Sequence, residues 1–208
     1  MNTTSIDVQE SNERLLKALF SNRGLTYLVE VGAAELGNPV LVVDPTYHYA
    51  ARAGIELDDA DDSAFARIIR SESIDEVIAD EGIRYIEETG VDEELARAHG
   101  AVLRHNPLYE LDALTQDVVA GGICLGRVMT LAKNHPFGER DHAVFDRLVA
   151  LVAQELQKGG FLSSEDSQMG PYFLARLLDD EQPNPIHTAR RMKLVGFSPL
   201  SKIGRAHV

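Results

Sequence analysis

The side chains with most chemical potential in this sequence are one cysteine, seven histidines and a dense run of carboxylates. Cys124 sits in an apolar stretch whose one nearby basic residue is Arg127. A reactive thiolate needs cationic neighbours or a helix N-terminus, and a dithiol reductase needs a second, resolving thiol. Cys124 therefore reads as a packed, structural thiol. The histidines (His48, His99, His105, His135, His142, His187 and His207) are scattered, and no two stand at the i, i+4 spacing that sets two imidazoles on one helix face. Asp58, Asp59, Asp61 and Asp62 lie close together, but without the alternating ligand positions, central Gly and closing Glu of a calcium loop. They read as a solvated loop that caps the next helix. No Gly-x-Ser-x-Gly elbow occurs, and Gly121, Gly122 and Gly126 lack the strand-Gly-helix context of a dinucleotide site. The expectation is a protein that is not an enzyme, with no metal and no cofactor.

Non-covalent recognition is what remains, and it depends on the elements that position side chains. Residues 1–10 are polar and expected to be disordered. From Ser11 the apolar residues Leu15, Leu16, Leu19 and Phe20, then Leu25, Leu28, Val29 and Leu36, recur with helical spacing. Gly24 and Gly32 interrupt the pattern, which allows one bent helix or two shorter ones, and Gly37-Asn38-Pro39 ends it. Val40 to Val43 is a short buried strand, Asp44-Pro45-Thr46 a turn, and Tyr47 to Arg52 a second strand, with Tyr47, Tyr49 and Ala51 on one face. Helical spacing returns with Phe65, Ile68 and Ile69, then with Ile74, Val77, Ile78, Ile83 and Ile86, and a short helix follows from Val91 to His99. Ala101 to Arg104 and Asp117 to Ala120 are strand-like, and Gly121 and Gly122 open a turn or bulge before a run to Leu131. An amphipathic helix covers Glu139 to Lys158, with Val144, Phe145, Leu148, Leu151, Val152 and Leu156 on one face.

The charge divides the chain. The net charge is −13, and residues 1–158 hold 28 acidic against 14 basic side chains. Such a body repels phosphate backbones, so DNA contact through this region is not expected. No apolar run is long enough to cross a bilayer, and the N-terminus lacks the charged and apolar regions of a secretion signal, so a cytoplasmic location is expected. Gly159-Gly160 and Ser163-Ser164 mark a linker over 159–170. Residues 171–201 hold two short helical patterns with too few apolar side chains to close a core, which suggests the beginning of a second domain.

Two passages carry resemblance to known families. Gly126-Arg127-Val128-Met129-Thr130-Leu131, running through Pro136-Phe137 and Asp141 into a helix ending Ala153-Gln154-Glu155-Leu156, is similar to the closing pattern of GAF-type sensor domains. Leu36-Gly37-Asn38-Pro39-Val40-Leu41-Val42-Val43-Asp44 resembles the first strand of the sensor region in PucR-type regulators. Phe173-Leu174-Ala175-Arg176-Leu177-Leu178-Asp179 and, further on, Arg190-Arg191-Met192-Lys193-Leu194-Val195-Gly196-Phe197 resemble the opening of the middle domain in PucR/CdaR-type regulators. The resemblance implies an α+β fold: a GAF-like antiparallel sheet flanked by N- and C-terminal helices over 11–158, with a helical insert, followed by an incomplete second domain. It also implies a helix-turn-helix beyond the present sequence. Residues 202–208 continue neither pattern and read as a non-native tail.

The expected function is the ligand-sensing and dimerisation region of a bacterial transcriptional regulator, which reaches DNA only through the missing C-terminal domain. The alternatives are a free-standing GAF-fold reductase and a GAF module serving a kinase or phosphatase. A sensor pocket belongs between the sheet and the helical insert, with Tyr47, Tyr49, Arg84, Tyr85, Arg104 and His105 as candidate contacts to an unknown small-molecule effector. The stripe Val144, Phe145, Leu148, Leu151, Val152 and Leu156 is the candidate homodimer and signal face, weighed against plain packing on its own sheet.

Overall fold

The computed structural model describes residues 3–158 other than 46, 76, 77, 79 and 122. The expected linker, second-domain fragment and tail, and Val77 in the insert, lie outside the described residues. The described elements are α1 (Thr3–Phe20), α2 (Leu25–Leu36), β1 (Val40–Val43), β2 (Tyr49–Ala53), α3 (Ala64–Asp75), α4 (Asp80–Thr89), α5 (Val91–Arg97), β3 (Val102–Asn106), β4 (Leu111–Ala120), β5 (Ile123–Leu131) and α6 (Glu139–Leu156). The strands form one antiparallel sheet in the order β2-β1-β5-β4-β3. Helices α1, α2 and α6 cover one face, and the insert α3–α5 covers the other. The fold is α+β, as expected.

Period-2 alternation sorts the sheet side chains between two cores. Val40, Val42, Leu114, Val118 and Val128 join Leu15, Leu19, Leu28, Leu36, Phe145 and Leu148 beneath the helices. Leu41, Ala113 and Leu131 point the other way, onto Phe65 and Ile69 of α3 and onto Tyr109. β1 is thus covered on both faces, which is why it reads as an unbroken apolar run rather than an alternating one.

Three local outcomes differ from the expectation. The first helix begins at Thr3, inside the segment expected to be disordered. Arg140 of α6 explains this: its Nε bonds Asp7 Oδ2 at 2.8 Å, Nη2 bonds Ser11 Oγ at 2.9 Å and Nη1 bonds the Glu35 carbonyl at 2.7 Å, tying α1 and α2 to α6. The long helical pattern splits at residues 21–24 into α1 and α2, whereas Gly32 stays inside α2. The second strand begins at Tyr49 rather than Tyr47, and a bulge shifts its register on β1. Tyr49 and Ala51 consequently sit on opposite faces: Tyr49 lies on the insert side, and Ala51 joins the helix-side core.

Candidate functional site

The insert-facing side of the sheet presents Leu41 and Val43 from β1, Tyr49 from β2, Arg104 and Asn106 from β3, Ala113 and Thr115 from β4, and Arg127 and Met129 from β5. Opposite them stand Ile78, Tyr85 and Ile86 from the α4 region and Val91 and Leu95 from α5. The two walls leave a cavity of about 70 Å³ whose lining is overwhelmingly apolar. α4 suits this role because Ile83 and Ile86 are buried while Glu81 and Arg84 on its other side are exposed.

At one end of the cavity Arg127 interrupts the apolar lining. Its guanidinium is nearly enclosed, with Nε 2.7 Å from Asp117 Oδ1 and Nη2 2.9 Å from Asp92 Oδ1. Burial works against its charge, but the two carboxylates outweigh that cost and raise its pKa, so it stays protonated. Asp117 is the cross-strand partner of Arg127, whereas Asp92 reaches in from the first turn of α5. The second carboxylate oxygen of Asp92 accepts a hydrogen bond from Tyr47 Oη at 3.1 Å. Tyr47 holds a left-handed backbone, φ 66°, unusual for an aromatic residue, and its carbonyl accepts from the Ile78 amide at 3.0 Å. Beyond Arg127 lies a more polar cavity of about 290 Å³, bordered by Asp44, Tyr47, Asp92, Asp117 and Cys124. Burial pushes the Cys124 thiol above its ordinary pKa, with Asp117 adding to the effect, and the thiol donates to the Gly126 carbonyl at 3.4 Å.

Of the expected contacts, Tyr49, Tyr85 and Arg104 line the apolar cavity. Arg104 also bonds Glu94 of α5 at 2.6 Å. Tyr47 borders the polar cavity instead. Arg84 is exposed and lines neither cavity, because the helical turn that buries Ile83 and Ile86 turns it outward. His105 is also exposed, on the opposite face of β3 from Arg104, where it pairs with Asp112 at 3.1 Å. Arg127, Asp92 and Asp117 were not among the expected residues. A lone arginine inside an apolar strand was the available signal, since such a side chain needs carboxylate partners once buried.

The six residues of the α6 stripe occupy a different place from a dimer contact. Val144, Phe145, Leu148, Leu151 and Val152 are at most 1% exposed within the chain itself, and Leu156 packs partly buried against the same core. Packing on the protein's own α1, α2 and sheet uses this stripe fully. The outward row of α6 carries Ala143, Asp146, Ala150 and Gln154. Among the described residues no group of His, Cys, Asp or Glu is disposed to hold a metal ion, and no helix is long and apolar enough to cross a membrane.

No family model matches the chain, and no curated protein sequence does. Among solved structures, the GAF domain from an Acinetobacter phosphoenolpyruvate-protein phosphotransferase is similar at 10% identity, covering 80% of this chain and 100% of that one with a TM-score of 0.45. The GAF domain of the corresponding protein from Coxiella burnetii is similar at 11% identity, covering 76% and 97% with a TM-score of 0.44. The cofactor-binding GAF domain of the nutrient sensor CodY from Clostridium difficile is similar at 13% identity, covering 75% and 99% with a TM-score of 0.43.

Proposed function

We propose that residues 11–158 form a small-molecule-sensing module of a transcriptional regulator, and that the effector enters the apolar cavity between the sheet and the α4–α5 insert. The observation that carries this reading is the cavity itself: an apolar chamber bounded on one side by the hydrogen-bonded sheet and on the other by short helices. The sequence resemblance to GAF-type and PucR-type sensor regions supports the regulatory role. The excess of acidic over basic side chains supports DNA contact through another segment. A binding role rather than catalysis is favoured because the thiol of Cys124 is held protonated and His105 faces away from the cavity. A homodimer joined through α6 would use the outward row at Ala143 and Ala150, not the stripe that fills the core.

Fluorescence titration with N-phenyl-1-naphthylamine, an uncharged apolar probe, tests the site. Ala113 lines the cavity from β4 and is 3% exposed, so Ala113→Leu fills the chamber from its rigid wall. Probe affinity is expected to fall at least about tenfold, the factor that a poorly accommodated isobutyl group imposes on a packed site. Asp112→Asn, on the exposed face one residue away, leaves affinity unchanged. Equal binding by the parent and Ala113→Leu refutes the cavity as the site.

A further inference from the structure

The apolar cavity is too small for the role in its present form. An engineered apolar cavity of about 150 Å³ is what admits a molecule of benzene, and this chamber offers about 70 Å³. A ligand of even that size needs one wall to move. The sheet wall is held by ladders on both sides of β1, β5 and β4, and its other face is the main core. The insert wall is two short helices, α4 and α5, resting on the sheet through apolar contacts and a few polar ties. Motion therefore belongs to the insert.

We infer that the Asp92 carboxylate, gripped by Arg127 from β5 and by Tyr47 from the β1–β2 connection, is a latch that holds the insert shut over the cavity and must release for ligand to enter. This rests on the sensing role proposed above and names its regulation. Three features of the geometry carry it. Asp92 is the group through which both grips reach α5, one oxygen to the guanidinium at 2.9 Å and the other to the phenol at 3.1 Å. Tyr47 binds the insert a second time, through its carbonyl to the Ile78 amide, so the left-handed turn at 47 ties the residues just before α4 and the first turn of α5 to the β1–β2 connection. Arg127 also borders both cavities, which places the grip at the boundary between the apolar cavity and the more polar one.

Release is feasible because Asp117 stays with the guanidinium. When α5 lifts, Asp92 moves toward solvent, and Arg127 keeps one carboxylate at 2.7 Å from its Nε, so no buried charge is left alone. The same charge balance decides which variant tests the latch. Removing Arg127 would strand two carboxylates, whereas Asp92→Asn weakens the grip and leaves the Arg127–Asp117 pair intact.

The full chain serves for the experiment, with N-phenyl-1-naphthylamine mixed in stopped flow and backbone amide exchange followed by mass spectrometry. Asp92→Asn is expected to speed probe association about tenfold or more, the factor that goes with one charge-assisted hydrogen bond. Amide exchange over 80–97 is expected to rise by a similar factor while β1 and β5 stay protected. Tyr47→Phe removes only the neutral grip and acts in the same direction, by a smaller factor. An unchanged association rate in both variants overturns the latch, and so does exchange that rises equally in β1 and β5, since the cluster would then support the whole fold. These results leave the cavity reading standing as long as Ala113→Leu still blocks the probe in the parent. Failure of that block refutes the cavity reading itself.

Discussion

The packing of α2 on α6 makes the sharpest stability prediction, because one substitution there should change sign with its background. Gly32 lies inside α2, and a Cβ added to it would meet Leu148 Cδ2 at 2.5 Å, Cδ1 at 2.8 Å and Cγ at 3.2 Å. Leu148 is fully buried, so its isobutyl group has no open space to swing into. Alanine in a helix interior gains about 0.8–1 kcal/mol over glycine, but overpacking a core costs about 1–3 kcal/mol. The net for Gly32→Ala is a destabilisation of up to about 2 kcal/mol. Leu148→Ala opens a cavity and costs about 2–5 kcal/mol. In that background the new methyl enters vacated space, so Gly32→Ala becomes stabilising by about 1 kcal/mol or more. Urea unfolding of the four proteins in the cycle gives the coupling directly, provided the slopes agree. Effects that add within about 0.5 kcal/mol would refute the inward placement of Leu148, and with it the reading that the α6 stripe is spent inside the protein.

Two further predictions concern titratable groups. His135 places Nδ1 2.9 Å from the Pro136 carbonyl and Nε2 2.9 Å from the Leu36 carbonyl; carbonyls only accept, so the two contacts together favour the protonated ring. The Pro136 hydrogen bond raises its pKa, burial opposes it, and the Leu36 bond and Asp141 at 4.0 Å add to the rise, against Arg140. A raised folded-state pKa contributes stability that is fully present below the unfolded value of about 6.5 and is lost as pH rises through the folded value. The advantage of the parent over His135→Gln in urea midpoint should thus be largest below about pH 6.5 and fade as the pH rises past it. It will be modest, because the side chain is 43% exposed; an advantage that grows with pH contradicts the assignment. Cys124, its thiol pushed up by burial and by Asp117, should alkylate with iodoacetamide at pH 8 at least about tenfold more slowly than free cysteine. Equal rates would show an accessible thiolate.

The helices and the alternation of the strands were legible because they follow from local spacing. Val40 to Val43 reads as a buried strand from its β-branched run, and Glu139 opens α6 where the apolar stripe begins. The same spacing gave Ile83 and Ile86 as an inner face of α4 but could not say that Arg84 between them would point to solvent rather than to a ligand. Helical residues adjacent in sequence diverge by about 100°, so burying the isoleucines settles the arginine's direction. His105 failed for the matching reason in a strand: it neighbours Arg104, and neighbours on a strand face opposite ways.

The polar cluster was hidden by two departures from regular geometry. At the β4–β5 end of the hairpin Ala120 pairs with Ile123 and Val119 with Cys124. Continued regularly, that register sets Arg127 opposite Gln116. The bulge between Val118 and Val119 moves it one residue, so that Arg127 meets Asp117 instead. Gly126, opposite Val118 beside the bulge, passes so close to β1 that an added Cβ would lie 2.5 Å from the Val43 carbonyl oxygen. The second departure is the left-handed turn at Tyr47, which takes that residue out of the strand and turns its phenol toward α5. One extra residue in a hairpin and one unusual φ thus bring together Arg127, Asp117, Asp92 and Tyr47, from three strand or loop segments and one helix. No local pattern contains that juxtaposition, because sheet register and insert placement are settled only when the long-range contacts form. The charges it gathers lie where the insert meets the sheet, so the element least fixed by the core is the one held by ionic contacts that a single displacement can break.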